Sequence, residues 1–132
     1  MLSSASNTSG SLIAVVLSGT NIPLPNAQQL NNVTVNGAND IFTVQESGTY
    51  ELEYHVYITT PSMVSSRILL NGIQLPDSAL NPATGTDSLT KKATVNLNAG
   101  DTLSLQLYGL IGVVTLFSGD PSKATSLSIL KK

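Results

Sequence analysis

Turn-forming residues interrupt this chain at short and regular intervals. Asn36-Gly37, Ser47-Gly48, Asn71-Gly72, Ala99-Gly100-Asp101, Gly109, Gly112 and Gly119-Asp120-Pro121 recur roughly every 8–12 residues, the spacing of an antiparallel sandwich or barrel. The runs between them are rich in Val, Ile, Leu, Tyr and Thr, which suit a pleated, half-buried surface. An amphipathic helix needs an uninterrupted 3.6-residue period with caps, and no window supplies one over three turns. The chain is expected to be all-β.

The clearest strand is Thr49 to Thr59. Tyr50, Leu52, Tyr54, Val56 and Ile58 alternate with Glu51, Glu53, His55, Tyr57 and Thr59, so each set lines one face. Thr102 to Tyr108 sets Leu103, Leu105 and Leu107 against Ser104, Gln106 and Tyr108, and Ala124 to Leu130 sets Leu127 and Ile129 against Ser126 and Ser128. Arg67 to Leu75 reads as a hairpin turning on Asn71-Gly72, because Asn-Gly accepts positive φ at both central positions of a type I′ turn. Further strands are expected at Leu12–Ser18, Val33–Val35, Ile41–Val44, Ser88–Leu97 and Val113–Phe117. Eight to ten short strands in 132 residues point to an antiparallel jelly-roll β-sandwich. Residues 1–11, small and polar from Ser3 to Ser11, read as a flexible N-terminal segment or linker. Residues 12–132 read as a single jelly-roll domain, a size that suits one core.

Composition narrows the partners. Charged residues make up 11%, against about 25% in ordinary soluble domains, and Ser, Thr and Asn take their place. With 41% apolar residues the chain is not disordered. A net charge of −2 with six Lys+Arg leaves no basic surface for a phosphate backbone, so nucleic acid is not an expected partner. The longest apolar runs, Leu12–Leu17 and Leu110–Phe117, fall short of the ~20 residues of a membrane-spanning helix, so membrane insertion is not expected. No basic n-region precedes the first of these runs, as a signal peptide would require. Cysteine is absent, which removes disulfides, thiolate metal sites and cysteine nucleophiles. The low-charge, hydroxyl-rich composition suits an extracellular coat.

His55 is the single histidine, and any general-base chemistry would run through it or through a carboxylate pair. Glu51, Glu53 and His55 share a strand face, but one histidine and two glutamates along one strand make poor metal geometry, and the plainer reading is a polar sheet face. Asp77, Asp87, Asp101 and Asp120 stand beside turn residues and read as turn caps. No nucleophile elbow, phosphate loop, zinc helix or dinucleotide fingerprint occurs, so no enzyme, metal or cofactor is expected. Lys91-Lys92 is the basic pair, with a solvated or interface role. Asn7-Thr8-Ser9 and Asn32-Val33-Thr34 match the N-glycosylation pattern, a match that arises readily by chance in so Ser/Thr/Asn-rich a chain. With 5% aromatics and no Trp, a sugar-stacking platform is not expected.

Several stretches carry a resemblance. Gly48-Thr49-Tyr50-Glu51-Leu52 and Leu97-Asn98-Ala99-Gly100-Asp101-Thr102-Leu103-Ser104-Leu105 resemble strands of the complement C1q/tumour-necrosis-factor-like heads. Phe42 to Tyr50, the hairpin Leu70-Asn71-Gly72-Ile73 and the closing Ser126-Leu127-Ser128-Ile129 are similar to the C-terminal domain of BclA-type collagen-like glycoproteins of the spore surface (exosporium). The likeness runs from about residue 12 onward. It implies a C1q/TNF-like jelly roll that forms homotrimers and nucleates a collagen-like stalk on a bacterial spore or cell surface. The Gly-X-Y stalk and anchoring segment of such proteins are not in this sequence: either they precede Met1 in a parent chain, or the protein is a short stand-alone relative. The alternative from another class is a receptor- or glycan-binding head of a phage fibre or adhesin, with a host-surface or glycan ligand.

The strand Thr49–Thr59 locates the expected trimer interface. Its face with Leu52, Val56 and Ile58 is the core side, yet Tyr57 adds an aromatic to the opposite face, where a sandwich strand is ordinarily solvated. The resemblance places that face at the threefold axis. The candidate interface is Glu51, Glu53, His55, Tyr57, Thr90, Lys92, Thr94, Ser126 and Ser128. A buried carboxylate needs a partner, so one of these glutamates is expected to meet Lys92. Trimerisation, short loops and few basic residues together imply resistance to heat and to trypsin, including at Arg67 and Lys91.

Overall fold

The computed structural model describes residues 1–82, 85–119 and 121–132. In chain order its strands are β1 (Leu2–Asn7), β2 (Leu12–Val15), β3 (Thr20–Asn21), β4 (Asn26–Gln29), β5 (Val33–Val35), β6 (Phe42–Val44) and β7 (Gly48–Ser62). These are followed by β8 (Ser65–Leu70), β9 (Ile73–Gln74), β10 (Thr86–Leu97), β11 (Thr102–Tyr108), β12 (Gly112–Thr115) and β13 (Thr125–Lys131). The one helical turn described is a short 3-10 turn at Pro121–Lys123. A five-stranded sheet runs β10-β7-β13-β1-β4, and a second runs β5-β6-β11-β8-β9, with β3 also on β11. β2 and β12 pair as a separate ribbon. Asp120, expected to cap a turn, lies outside the described residues.

Alternation along the strands builds the core. Leu52 stands opposite Ala93 of β10 and Ile129 of β13, and Val56 opposite Leu89; residues paired across a ladder share a face. Tyr50, Leu52, Tyr54, Val56 and Ile58 are all buried, as the alternation of that strand required. Leu103, Leu105 and Leu107 of β11, with Phe42, Val44 and Ile68, supply the facing layer. Burying each such Leu, Ile or Phe stabilises the fold by ~1.5–3 kcal/mol over leaving it exposed. The Tyr54 hydroxyl crosses the sandwich, donating to the Ser78 carbonyl at 2.7 Å and sharing a 2.8 Å bond with Ser66 Oγ. The hairpin turns on Asn71 and Gly72, whose φ values are 52° and 81°, as a type I′ turn requires.

The structure corrects three readings. The segment 1–11 is not a linker over its first part: β1 lies inside the five-stranded sheet, paired with β13 from Leu2↔Leu130 to Asn7↔Thr125 and with β4 on its other side. Ser3, Ala5 and Asn7 face inward and are buried. Their small size hides a strand from a hydrophobicity reading and is compatible with close packing under the sheet. Leu12–Ser18 and Val113–Phe117 are shorter as strands than expected; the first ends where Gly19 N–H closes a turn on the Val16 carbonyl at 3.0 Å. The strand count exceeds ten because β1, β3 and β4 are polar or very short and show no apolar alternation. Asn7, in a glycosylation-like triplet, is fully buried, its amide donating to Ser11 Oγ and the Pro23 carbonyl.

Candidate functional site

All nine candidate residues come to one surface, the outer face of the five-stranded sheet. The register makes it so: Thr90 pairs His55 and His55 pairs Ser126, while Lys92 pairs Glu53 and Glu53 pairs Ser128. Thr94 pairs Glu51, and Ser88 pairs Tyr57. The face continues across β1 through Ser4 and Ser6, opposite Ser128 and Ser126. It has a low floor of serines on β1 and β13 beside a taller column on β7.

The charge of Glu51 is compensated within the protomer. Glu51 Oε1 lies 3.2 Å from Lys92 Nζ and its Oε2 lies 3.4 Å from Lys132 Nζ. These two ammonium groups hold the Glu51 carboxyl below the usual carboxylate range, Lys92 more strongly than Lys132. In turn the Glu51 carboxylate raises the Lys92 ammonium. The expected contact between Lys92 and a glutamate of this face is thus made by Glu51. It is the diagonal neighbour, not the residue directly opposite.

His55 sits at the centre of the column. Its Nδ1 is 3.1 Å from Thr90 Oγ1, its Nε2 is 3.8 Å from Glu53 Oε1, and its ring stacks over Tyr57 at a centroid distance of 6.3 Å. Among the described residues, no group of three or more His, Asp or Glu is placed to hold a metal ion. A shallow apolar depression of about 300 Å³, lined by Leu70, Ile73, Leu75 and Pro76 among others, lies on the other sheet and has no titratable group. The surroundings of His55 are therefore an open hydrogen-bonded face.

One part of this face escaped the sequence reading. The ribbon β2–β12 continues it past the end of β13, with Leu12, Val16, Ile111 and Val113 exposed. The signal was present in the two apolar runs Leu12–Leu17 and Leu110–Phe117, which are apolar at successive positions and so put hydrophobic side chains on both faces of a strand.

A family model described as the BclA C-terminal domain matches residues 3–131. The chain belongs to the BclA C-terminal domain family. No curated protein sequence matches it. Among solved structures it is similar to murine APRIL, at 15% identity and a TM-score of 0.69, covering all of both chains. It is also similar to rabbit GITRL, at 12% identity and a TM-score of 0.62, covering 99% of this chain and 93% of that one. Pika GITRL follows at 11% identity and 0.59, covering 100% and 96%. At such low identity these structures establish the fold, a TNF-like jelly roll, in agreement with the antiparallel β-sandwich expected from the sequence. From Ser3 onward β1 lies within the span of this BclA C-terminal domain.

Proposed function

We propose that this BclA C-terminal domain is the homotrimerising head of a collagen-like protein displayed on a bacterial spore or cell surface, where it nucleates the stalk trimer. The outer face of the five-stranded sheet, with Glu51, Glu53, His55, Tyr57, Thr90, Lys92, Thr94, Ser126 and Ser128, turns toward the threefold axis. The observation that carries this reading is the internal neutralisation of Glu51 by Lys92 and Lys132 at 3.2 and 3.4 Å. With its lysine partners already in place, Glu51 can be covered by a copy of this face without being stranded as an unpaired charge. The serine floor on β1 and β13 supports the same reading, because small side chains let two backbones approach closely. The end of the sheet where Leu2 meets Leu130 is where a stalk upstream of Met1 would join. The reading assigns the chain no catalysis and no cofactor. Sedimentation equilibrium at micromolar concentration tests it: a mass three times 13.8 kDa is expected, and a strictly monomeric species overturns it.

A further inference from the structure

We infer that the outward apolar face of the β2–β12 ribbon is buried by a second copy of this chain and forms the apolar centre of the homotrimer contact; the inference rests on the trimer reading above. The ribbon is a continuation of the proposed interface and not a separate surface. Where β13 stops pairing with β7 at Ser126↔His55, the chain after β12 takes its place: Leu116 bridges Ile58, and Phe117 N–H reaches the Tyr57 carbonyl. Leu116 and Val114 face inward with Ile58, all three buried. By alternation Val113, Thr115 and Phe117 then share the outward side with Tyr57. Across the ribbon Val113 pairs Ala14 and Thr115 pairs Leu12, which puts Leu12 on that side as well.

This patch supplies what the rest of the face lacks. Leu12 is 71% exposed, Val113 62%, Ile111 72% and Val16 46%, in a ribbon whose other face already fills the core with Ile13, Val15 and Val114. A stable self-association needs an apolar, well-packed centre with a polar rim, and a contiguous exposed apolar patch marks an interaction site. Eight of the nine candidate residues on the adjoining sheet are polar or charged, which is rim chemistry. Symmetry selects between the two halves. At a threefold axis each side chain meets its own copies, so carboxylates there repel while aliphatic groups bury one another. The ribbon therefore lies closer to the axis than Glu51, whose lysine partners suit a position off it. Phe117, with Lys123 Nζ 4.9 Å from its ring centre, stands at the border between the two halves.

The absence of cysteine makes the test direct. Val113→Asp places a charge on an exposed position and is expected to sediment as a monomer, at concentrations where the wild type is a trimer, with an unchanged β-type circular dichroism spectrum. Val113→Cys in the trimer is expected to react with a maleimide at least ~10-fold more slowly than Ile73→Cys, a 74% exposed residue on the other sheet, because burial at an interface closes access. If the wild type is trimeric, Val113→Asp stays trimeric and the two cysteines label alike, the ribbon is not in the contact and the trimer reading stands without it. A monomeric wild type overturns both. Should Val113→Asp fail to fold, the labelling ratio decides alone.

Discussion

Tyr54→Phe removes one oxygen from the centre of the sandwich and leaves two groups without their partner. The hydroxyl donates to the Ser78 carbonyl at 2.7 Å and shares a 2.8 Å bond with Ser66 Oγ, and Tyr54, Ser66 and Ser78 are all buried. The void left by a single oxygen is small, so the cost comes from the unpaired carbonyl and hydroxyl. A buried polar group left unsatisfied costs ~1–3 kcal/mol, and relief from burying the phenol hydroxyl offsets part of it, for an expected loss of ~2–3 kcal/mol. For a domain of this size that lowers the melting temperature by about 10 °C. Urea unfolding followed by circular dichroism at pH 7 measures it. The protein concentration is held constant, because association makes the midpoint concentration-dependent.

The same variant carries a pH signature. Burial pushes the Tyr54 hydroxyl up to about 12 from its ordinary 10.0. Between those values the unfolded chain has released this proton and the folded chain has kept it. Stability is therefore fully present below pH 10 and falls as pH rises toward 12, by up to ~1.4 kcal/mol per pH unit. Tyr50, also raised by burial, contributes in the same direction in both proteins. The alkaline slope of Tyr54→Phe should thus be shallower but not flat. A variant within ~0.5 kcal/mol of wild type at pH 7, with the wild-type alkaline slope, would refute the reasoning.

Deletion of residues 1–7 removes an interior strand and exposes the facing edges of β13 and β4; the shortened chain is expected to lose cooperative unfolding in the same assay, where removal of a linker would change nothing. Tyr57→Ala is expected to weaken self-association and to cost about 3 kcal/mol if the ring is buried between copies; a variant that sediments and melts like wild type would show that this face is not the interface. Glu51→Gln tests the lysine pairing. Because Lys92 and Lys132 lower the Glu51 carboxyl, it stabilises the fold above its ordinary value of 4.5, and that contribution disappears as pH falls through the folded value. The variant should show a shallower stability loss on acidification, read from melts between pH 6 and pH 2.

Much of the architecture was legible because it is written in period two. The alternation of Tyr50 to Ile58 placed the core, and the opposite parity placed Glu51, Glu53, His55 and Tyr57 together on the outer face. Asn71-Gly72 determined its own turn, since few residues accept positive φ at successive positions. Those features are local, and a strand's two faces follow from one strand's residues alone. β1 was not legible: Ser3, Ala5 and Asn7 have no hydrophobic signature, and they form a buried strand only because β13 and β4 stand on either side to pair with it. β3 and β4 were invisible for a related reason: Thr20–Asn21 and Asn26–Gln29 are short and polar, with no apolar alternation to reveal them.

The sequence by itself determined that the chain is an antiparallel β-sandwich, which faces of its longer strands are core, and which polar residues share the face that β7 presents outward. Only the tertiary structure decided that Glu51, and not Glu53, meets Lys92 and that Lys132 joins it, because the two lysines reach it from two other parts of the chain. It also decided that Leu12 and Val113 extend that same face, through the pairing of residues nearly a hundred positions apart. Such contacts depend on the register between distant strands, and register is settled by the packing of the whole core.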